Sequence, residues 1–343
     1  MKKDNAIITA VFLQQHLSPK FPGVDVQNLQ VERIGEGFGL ASQIVRCRWQ
    51  TGTPPRSVVV KRWPLNTKAG RQEILFYRTF GERVGARIPA CYFSGVDSDE
   101  NIGILILEDL GDVIQGDCLR QLSREPAQKL ARRFAAIHAT WQQNRALDDA
   151  AWLPAFLPWQ QDAGWFDVRR TKFLDRFGDK MSGLAALLLN RVERVPAVVN
   201  DRLAGVDHTL LHADLHLDNI VFTQEGEPVI LDWANCGRGP FVFDLVQILF
   251  EIGRLEDVDH VLAAYLDEFA ASGGERLMET AVRYQLGAAV LRTFALATCG
   301  VANWQPASPR EESMIQTGIQ RAVQMIEYWM SQDPDLFLFV EAD

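Results

Sequence analysis

The sequence predicts an α+β fold in two unequal parts: a small antiparallel sheet with one helix, then a mostly helical region. Three observations predict it. Strand-like runs crowd into residues 1–108, helical periodicity governs 117–343, and the change falls in a short turn-rich stretch at 109–116. The chain has 343 residues, 47% of them hydrophobic, enough to bury a core in each part.

Taken in order, residues 5–17 read as a short helix with Ile8, Val11 and Phe12 on one side. Segments 29–34, 41–50 and 57–63 read as strands, separated by turn-rich stretches at 35–39 and 51–55. A helix over 69–84 and strands near 90–95 and 102–107 complete the first part. Beyond Gly111, Leu130, Phe134, Ile137 and Trp141 recur at helical spacing within 124–142. Residues 148–168, rich in Trp and Pro, read as an insert. Helices are expected near 169–188 and 190–203, and a strand–turn–strand unit over 220–223 and 228–231. The last helices are expected near 241–253, 257–271, 277–298 and 309–331.

Composition narrows the classes. The five cysteines are scattered, with no Cys-x-x-Cys pair, which argues against a disulfide framework or zinc ribbon and for a reducing cytoplasm. No apolar run is long enough to cross a membrane, and the first residues lack the apolar core of a secretory signal. Net charge is −9, unevenly spread. Residues 1–110 carry 14 Lys+Arg against 11 Asp+Glu, a balance of +3; the remainder carries 21 against 33, a balance of −12. The first part suits a polyanion such as a nucleotide and the second a cationic ligand, although solubility also explains the acids. No basic patch with interleaved aromatics stands out, so nucleic acid is not expected as a partner.

The chemistry concentrates in Leu211-His212-Ala213-Asp214-Leu215-His216-Leu217-Asp218-Asn219, followed by a hairpin and Ile230-Leu231-Asp232-Trp233. His-x-Asp-x-x-x-x-Asn, then an apolar strand ending in Asp, is the catalytic and metal pattern of kinases. Asp214 can orient an acceptor hydroxyl and take its proton. Asn219 and Asp232 can offer hard oxygens to Mg²⁺ beside the phosphates. A zinc site from His212, Asp214 and His216 is a competing reading, but the other histidines, His16, His138, His208 and His260, form no second ligand-spaced motif.

Upstream, Val58-Val59-Val60-Lys61 is a strand whose period of two puts Val59 and Lys61 on one face, Val59 to cover an adenine and Lys61 to reach its phosphates. Glu73 shares a helix face with Phe76, Tyr77 and Phe80, so it is expected to point inward and need a partner, with Lys61 the candidate; the alternative is that it sits at the edge of that face and reaches water. Gly35 and Gly37, in the glycine cluster between two strands, can fold over phosphates with their amides. The backbone of Leu107 and Asp109 can meet an adenine edge.

These residues resemble the aminoglycoside phosphotransferase and choline kinase superfamily of small-molecule kinases, roughly over residues 25–330. His212–Asn219 resembles that family's His-Gly-Asp-Leu-His-Pro-Gly-Asn loop, and Leu231-Asp232-Trp233 its metal-binding segment. Ala213, Leu217 and Asp218 depart from the commonest Gly, Pro and Gly. The resemblance implies a protein-kinase-like two-lobed fold, with residues 1–108 as nucleotide-binding lobe, 109–116 as hinge and 117–343 as catalytic and substrate lobe. It implies ATP, or GTP, and Mg²⁺ as cofactors. His216 would contact the transferred phosphate, while His212 and Asp244 would brace the loop. The acceptor would be a hydroxylated small molecule: an aminoglycoside or other antibiotic, with amino alcohols and sugars as rivals. A nucleotide-binding pseudoenzyme is the alternative of another class. The aromatics Trp152, Phe156, Trp159, Trp165 and Phe166, with the acidic balance, suit an amine-bearing acceptor; core packing explains them as well.

Overall fold

The computed structural model describes residues 8–35, 42–65, 69–181 and 183–341, which fall into two units. The first comprises Met1–Gln115, Val221–Glu225 and Val229–Asn235; the second comprises Gly116–Ile220, Gly226–Pro228 and Cys236–Asp343.

The first unit runs α1 (Ala10–Leu17), β1 (Gln30–Arg33), β2 (Gln43–Arg48), β3 (Ser57–Pro64), α2 (Ala69–Thr79), β4 (Cys91–Asp97) and β5 (Ile102–Glu108). The sheet order is β1-β2-β3-β5-β4, with every neighbouring pair antiparallel. Alternation along the strands sends Val45, Cys47, Val58, Val60, Ile104 and Ile106 to one face, where Leu13 and Leu17 of α1 close the core. Fully burying each leucine is worth about 1.5–3 kcal/mol. Helix α1 starts at Ala10, later than the expected 5–17, because the Thr9 hydroxyl caps it by accepting from the Phe12 amide at 3.1 Å; residues 1–7 lie outside the described residues.

A short β6 (Ile114–Gln115) pairs antiparallel with the strand Ile220–Phe222, and Pro228–Ile230 joins the same small sheet. The segment that follows is held against the first unit. The Ile230 amide donates to the Arg87 carbonyl at 3.1 Å, and Trp233 stacks on Phe76 at 4.1 Å with planes 6° apart. Residues far along the chain thereby deliver Asp232 to the sheet.

The second unit contains α3 (Arg124–Trp141), α4 (Arg145–Asp149), α5 (Ala163–Phe177), α6 (Gly183–Leu189), α7 (Val195–Arg202), α8 (Val242–Phe250), α9 (Val258–Ala271), α10 (Glu279–Ala295), α11 (Pro309–Gln332) and α12 (Leu338–Glu341). Helix α8 is apolar on nearly every side and runs through the core; α3, with Leu130, Phe134 and Ile137 buried, packs along α9. Thr209–Leu211 pairs antiparallel with Gly237–Gly239, and Ala155 adds a parallel bridge to Arg238.

Two expectations needed correction here. Residues 148–168 are not one insert: α5 already begins at Ala163, because Asp162 accepts the Trp165 amide at 2.8 Å and caps it. The helix expected over 169–188 is broken, α5 ending at Phe177 and α6 starting at Gly183, whose φ of +53° lies outside helical space. Among the described residues no helix is long and apolar enough to cross a membrane.

Candidate active site

In the first unit the chemistry gathers on the β3 face toward α2. Lys61 Nζ lies 2.7 Å from Glu73 Oε2 and 3.1 Å from Asp232 Oδ1. The α2 face that buries Phe76 and Tyr77, continued by Phe80 just past the helix end, carries Glu73 inward with them. Burial by itself would lower Lys61; the carboxylates of Glu73 and Asp232 outweigh it and hold the ammonium above its ordinary value. Burial pushes the Glu73 carboxyl up, to about 7, against the pull of Lys61. Lys61 answers to two carboxylates whereas Glu73 shares its one ammonium, so the charge on Lys61 is the firmer of the two. Asp232 takes a positive φ of +55°, which turns its carboxylate out of the strand and back to Lys61.

Val59 pairs with Leu107 across β3 and β5. The Asp109 carboxylate accepts from Arg46 Nε at 3.0 Å and from the Gly111 amide at 3.1 Å, which pins the start of the connecting stretch. Gly35 has φ +72°, a backbone suited to a tight turn. Gly37 lies outside the described residues.

In the second unit the loop after Thr209–Leu211 is held from behind by Asp244, on the first turn of α8. Its carboxylate is fully buried and accepts from the amides of His212 at 2.7 Å and Ala213 at 2.8 Å; His138 Nε2 lies 3.3 Å away and is itself held by Tyr265. These bonds stabilise Ala213 at φ +63°, a conformation that costs a residue with a Cβ roughly 1–2 kcal/mol. The turn so formed leaves the Asp214 side chain 41% exposed. The Asp214 amide donates to His212 Nδ1 at 3.3 Å, and the Leu215 amide to Gln247 at 2.9 Å. Asn219 Nδ2 donates to the Asp214 carbonyl at 2.8 Å and lies 3.1 Å from His216 Nε2, so its oxygen is turned the other way. His216 Nε2 stands 3.9 Å from Asp214 Oδ1.

Asp218 departs furthest from the commonest loop. It is buried, accepts the Cys118 amide at 2.8 Å, and meets Arg310 Nη2 through both oxygens at 2.8 and 2.9 Å; Arg310 Nη1 also reaches Asp117 at 2.9 Å. Asp117, Cys118 and Asp218 are close enough to hold a metal ion, but the guanidinium already supplies their cation. Among the described residues His212, Asp214 and His216 do not converge in this way, which removes the geometric basis for the zinc reading. Arg310, Asp117 and Gln247 carry no local signature and were not legible in the sequence; only the fold brings them to the loop.

A five-stranded antiparallel sheet with helices α1 and α2 packed on it, joined to a helical unit that presents a His-x-Asp-x-x-x-x-Asn loop, defines a protein-kinase-like α+β fold. Residues 40–279 match the phosphotransferase enzyme family, and the chain belongs to it; it is a phosphotransferase. None of the curated proteins matches it in sequence. Solved structures share the fold. A choline kinase from Cryptosporidium parvum Iowa II has a TM-score of 0.60 at 12% identity over 96% of this chain and 98% of that one. A candidate aminoglycoside phosphotransferase from Ralstonia eutropha JMP134 has 0.58 at 16% identity over 94% and 97%. A microcompartment-associated aminopropanol kinase has 0.56 at 14% identity over 95% and 98%.

Proposed function

We propose that the chain transfers the γ-phosphoryl group of ATP, or of GTP, to a hydroxyl of a small molecule. The observation that carries this reading is the loop of the second unit, in which Asp244 fixes the backbone so that the Asp214 carboxylate stands exposed beside His216 and Asn219. In the proposed reaction Asp214 receives the acceptor hydroxyl proton as the oxygen attacks the γ-phosphorus. The bond to the β–γ bridging oxygen breaks, and its electron pair leaves with the nucleoside diphosphate. His216 hydrogen-bonds the transferred group. Lys61, aligned by Glu73, balances the phosphate charge; Val59, Leu107 and the Asp109 backbone take the base, and Gly35 and Gly37 the phosphates. His212 and Asp244 support the loop.

The donor chemistry fits Mg²⁺, with the Asn219 amide oxygen and the Asp232 carboxylate as hard ligands. When bound, the ion would neutralise charge on the phosphates. In this reading residues 1–108 form the nucleotide lobe, 109–116 the hinge and 117–343 the catalytic and acceptor lobe. The acceptor is a hydroxylated metabolite or antibiotic, and the acidic balance of the second part suits one that also bears an amine.

The test is ADP release coupled to a reporter, across a panel of aminoglycosides, amino alcohols, sugars and hydroxy acids, with and without Mg²⁺. Acceptor-dependent turnover lost on chelation and in Asp214→Asn supports the reading. Turnover that survives Asp214→Asn in a folded enzyme refutes the assigned base.

A further inference from the structure

Arg292, on α10, shares with Arg169 and Arg191 a buried Nε that has no hydrogen-bond partner, and it alone of the three lies beside the residue that braces the Asp214 loop. Arg310, Arg321, Arg202 and Arg170 in the same unit each close on a carboxylate within 3.2 Å. Arg292 has neither an ion pair nor a hydrogen bond among the described residues, and its Nε is buried without a partner. Rings hold it instead: its guanidinium carbon lies 4.4 Å from the centre of Phe243, 5.6 Å from Phe156 and 5.7 Å from Trp159. Burial pushes the guanidinium down to about 10, opposed by the field of Asp244. Asp244 does not satisfy it, since both carboxylate oxygens serve the His212 and Ala213 amides and His138.

The surroundings are fixed. Phe156 is set by its amide's bond to the Arg238 carbonyl at 2.9 Å, and its ring fills the space a Cβ would need at Gly237. The Trp159 amide donates to Asn200 Oδ1 at 2.7 Å while Asn200 Nδ2 returns to the Trp159 carbonyl. Phe243 adjoins Asp244, so the guanidinium lies next to the residue that braces the Asp214 loop. A charged group held by aromatic faces, half-buried with its Nε out of water and left without an anion, is costly unless an anion arrives.

We propose that Arg292 is a specificity-determining residue of the acceptor site, and that the acceptor carries a carboxylate or similar anionic group which the guanidinium binds through its Nη atoms. This rests on the second unit being where the acceptor is held, and it narrows the hydroxylated acceptors to hydroxy acids and their relatives. An amine elsewhere on the same molecule is compatible with it.

The test separates binding from turnover. Glycerate, gluconate and acetate are titrated without nucleotide, at constant ionic strength, beside glycerol and sorbitol. Binding is followed by Trp fluorescence, to which Trp159 contributes, and by thermal unfolding. The wild type is expected to bind the hydroxy acids at least tenfold more tightly than the matched polyols. Arg292→Leu is expected to erase that difference, Arg292→Lys to keep part of it, and the unliganded Arg292→Leu protein to melt no lower than the wild type, because an uncompensated charge has gone. If no anion binds or raises the melting temperature of the wild type, the proposal is overturned whatever the variants do. If Arg292→Leu leaves anion preference intact, or melts much lower without ligand, Arg292 serves packing against its three rings and the proposal also fails. The ADP-release assay judges the kinase reading separately, since binding here needs no nucleotide.

Discussion

Replacing Arg310 by Met should destabilise the chain by roughly 2–3 kcal/mol, and the structure says where that comes from. Ser308 caps α11 by accepting the Glu311 amide at 3.2 Å, and Glu311 returns to the Ala307 amide at 2.8 Å, so Arg310 in the first turn is placed firmly. It gives two bonds to the Asp218 carboxylate, whose side chain is 5% exposed, and one to Asp117, which is more open. A charge-assisted bond to a buried carboxylate is worth about 1.5–3 kcal/mol, and an exposed ion pair below about 1 kcal/mol. Without Arg310, Asp218 keeps the Cys118 amide and loses its counter-charge. In a chain of this size roughly 2 °C accompanies each kcal/mol, so a fall of about 4–6 °C is expected by differential scanning fluorimetry. The double variant Arg310→Met/Asp218→Asn should recover about 1–2 kcal/mol relative to the sum of the single variants, because the stranded charge is gone. On the proposed reading of Asn219, which follows Asp218 in the loop, as a Mg²⁺ ligand, the Mg²⁺ concentration for half-maximal turnover should rise in Arg310→Met. A melting temperature within 1 °C of wild type, or strict additivity in the double variant, would show that this contact does not hold the loop.

Ala213→Gly should leave the loop intact and raise stability by about 0.5–1 kcal/mol by relieving the positive φ, as read from urea unfolding; destabilisation would mean that the methyl group packs usefully. Glu73 and Glu251 both have folded values near 7 against an ordinary 4.5, chiefly through burial, Glu251 being opposed by Arg321. Their stabilising contribution is therefore full below 4.5 and lost as pH rises through 7, so folding should take up protons near pH 6 in calorimetry, and less so in Glu251→Gln. Cys47 and Cys118, buried and with thiols pushed up to about 12, should resist iodoacetamide at pH 8 in the native protein; rapid labelling would reveal local opening.

Much of this arrangement was legible in order along the chain. Short apolar, β-branched runs determine the strands at Ser57–Pro64 and Ile102–Glu108, and the spacing of Glu73, Phe76, Tyr77 and Phe80 points a carboxylate toward the core. The spacing from His212 to Asn219, with Asp232 at the end of a strand, determines the candidate chemistry, because those residues act through one short loop and one strand end. The sequence could not show that Asp232 would join the first unit, since that depends on Trp233 stacking on a helix more than 150 positions earlier. Nor could it show Arg310 on Asp218, or Arg292 among three rings without a carboxylate. Local patterns record only what neighbours in sequence do to one another. Which distant charge meets which partner, and which meets none, is decided when apolar faces pack and carry polar groups together or leave them apart.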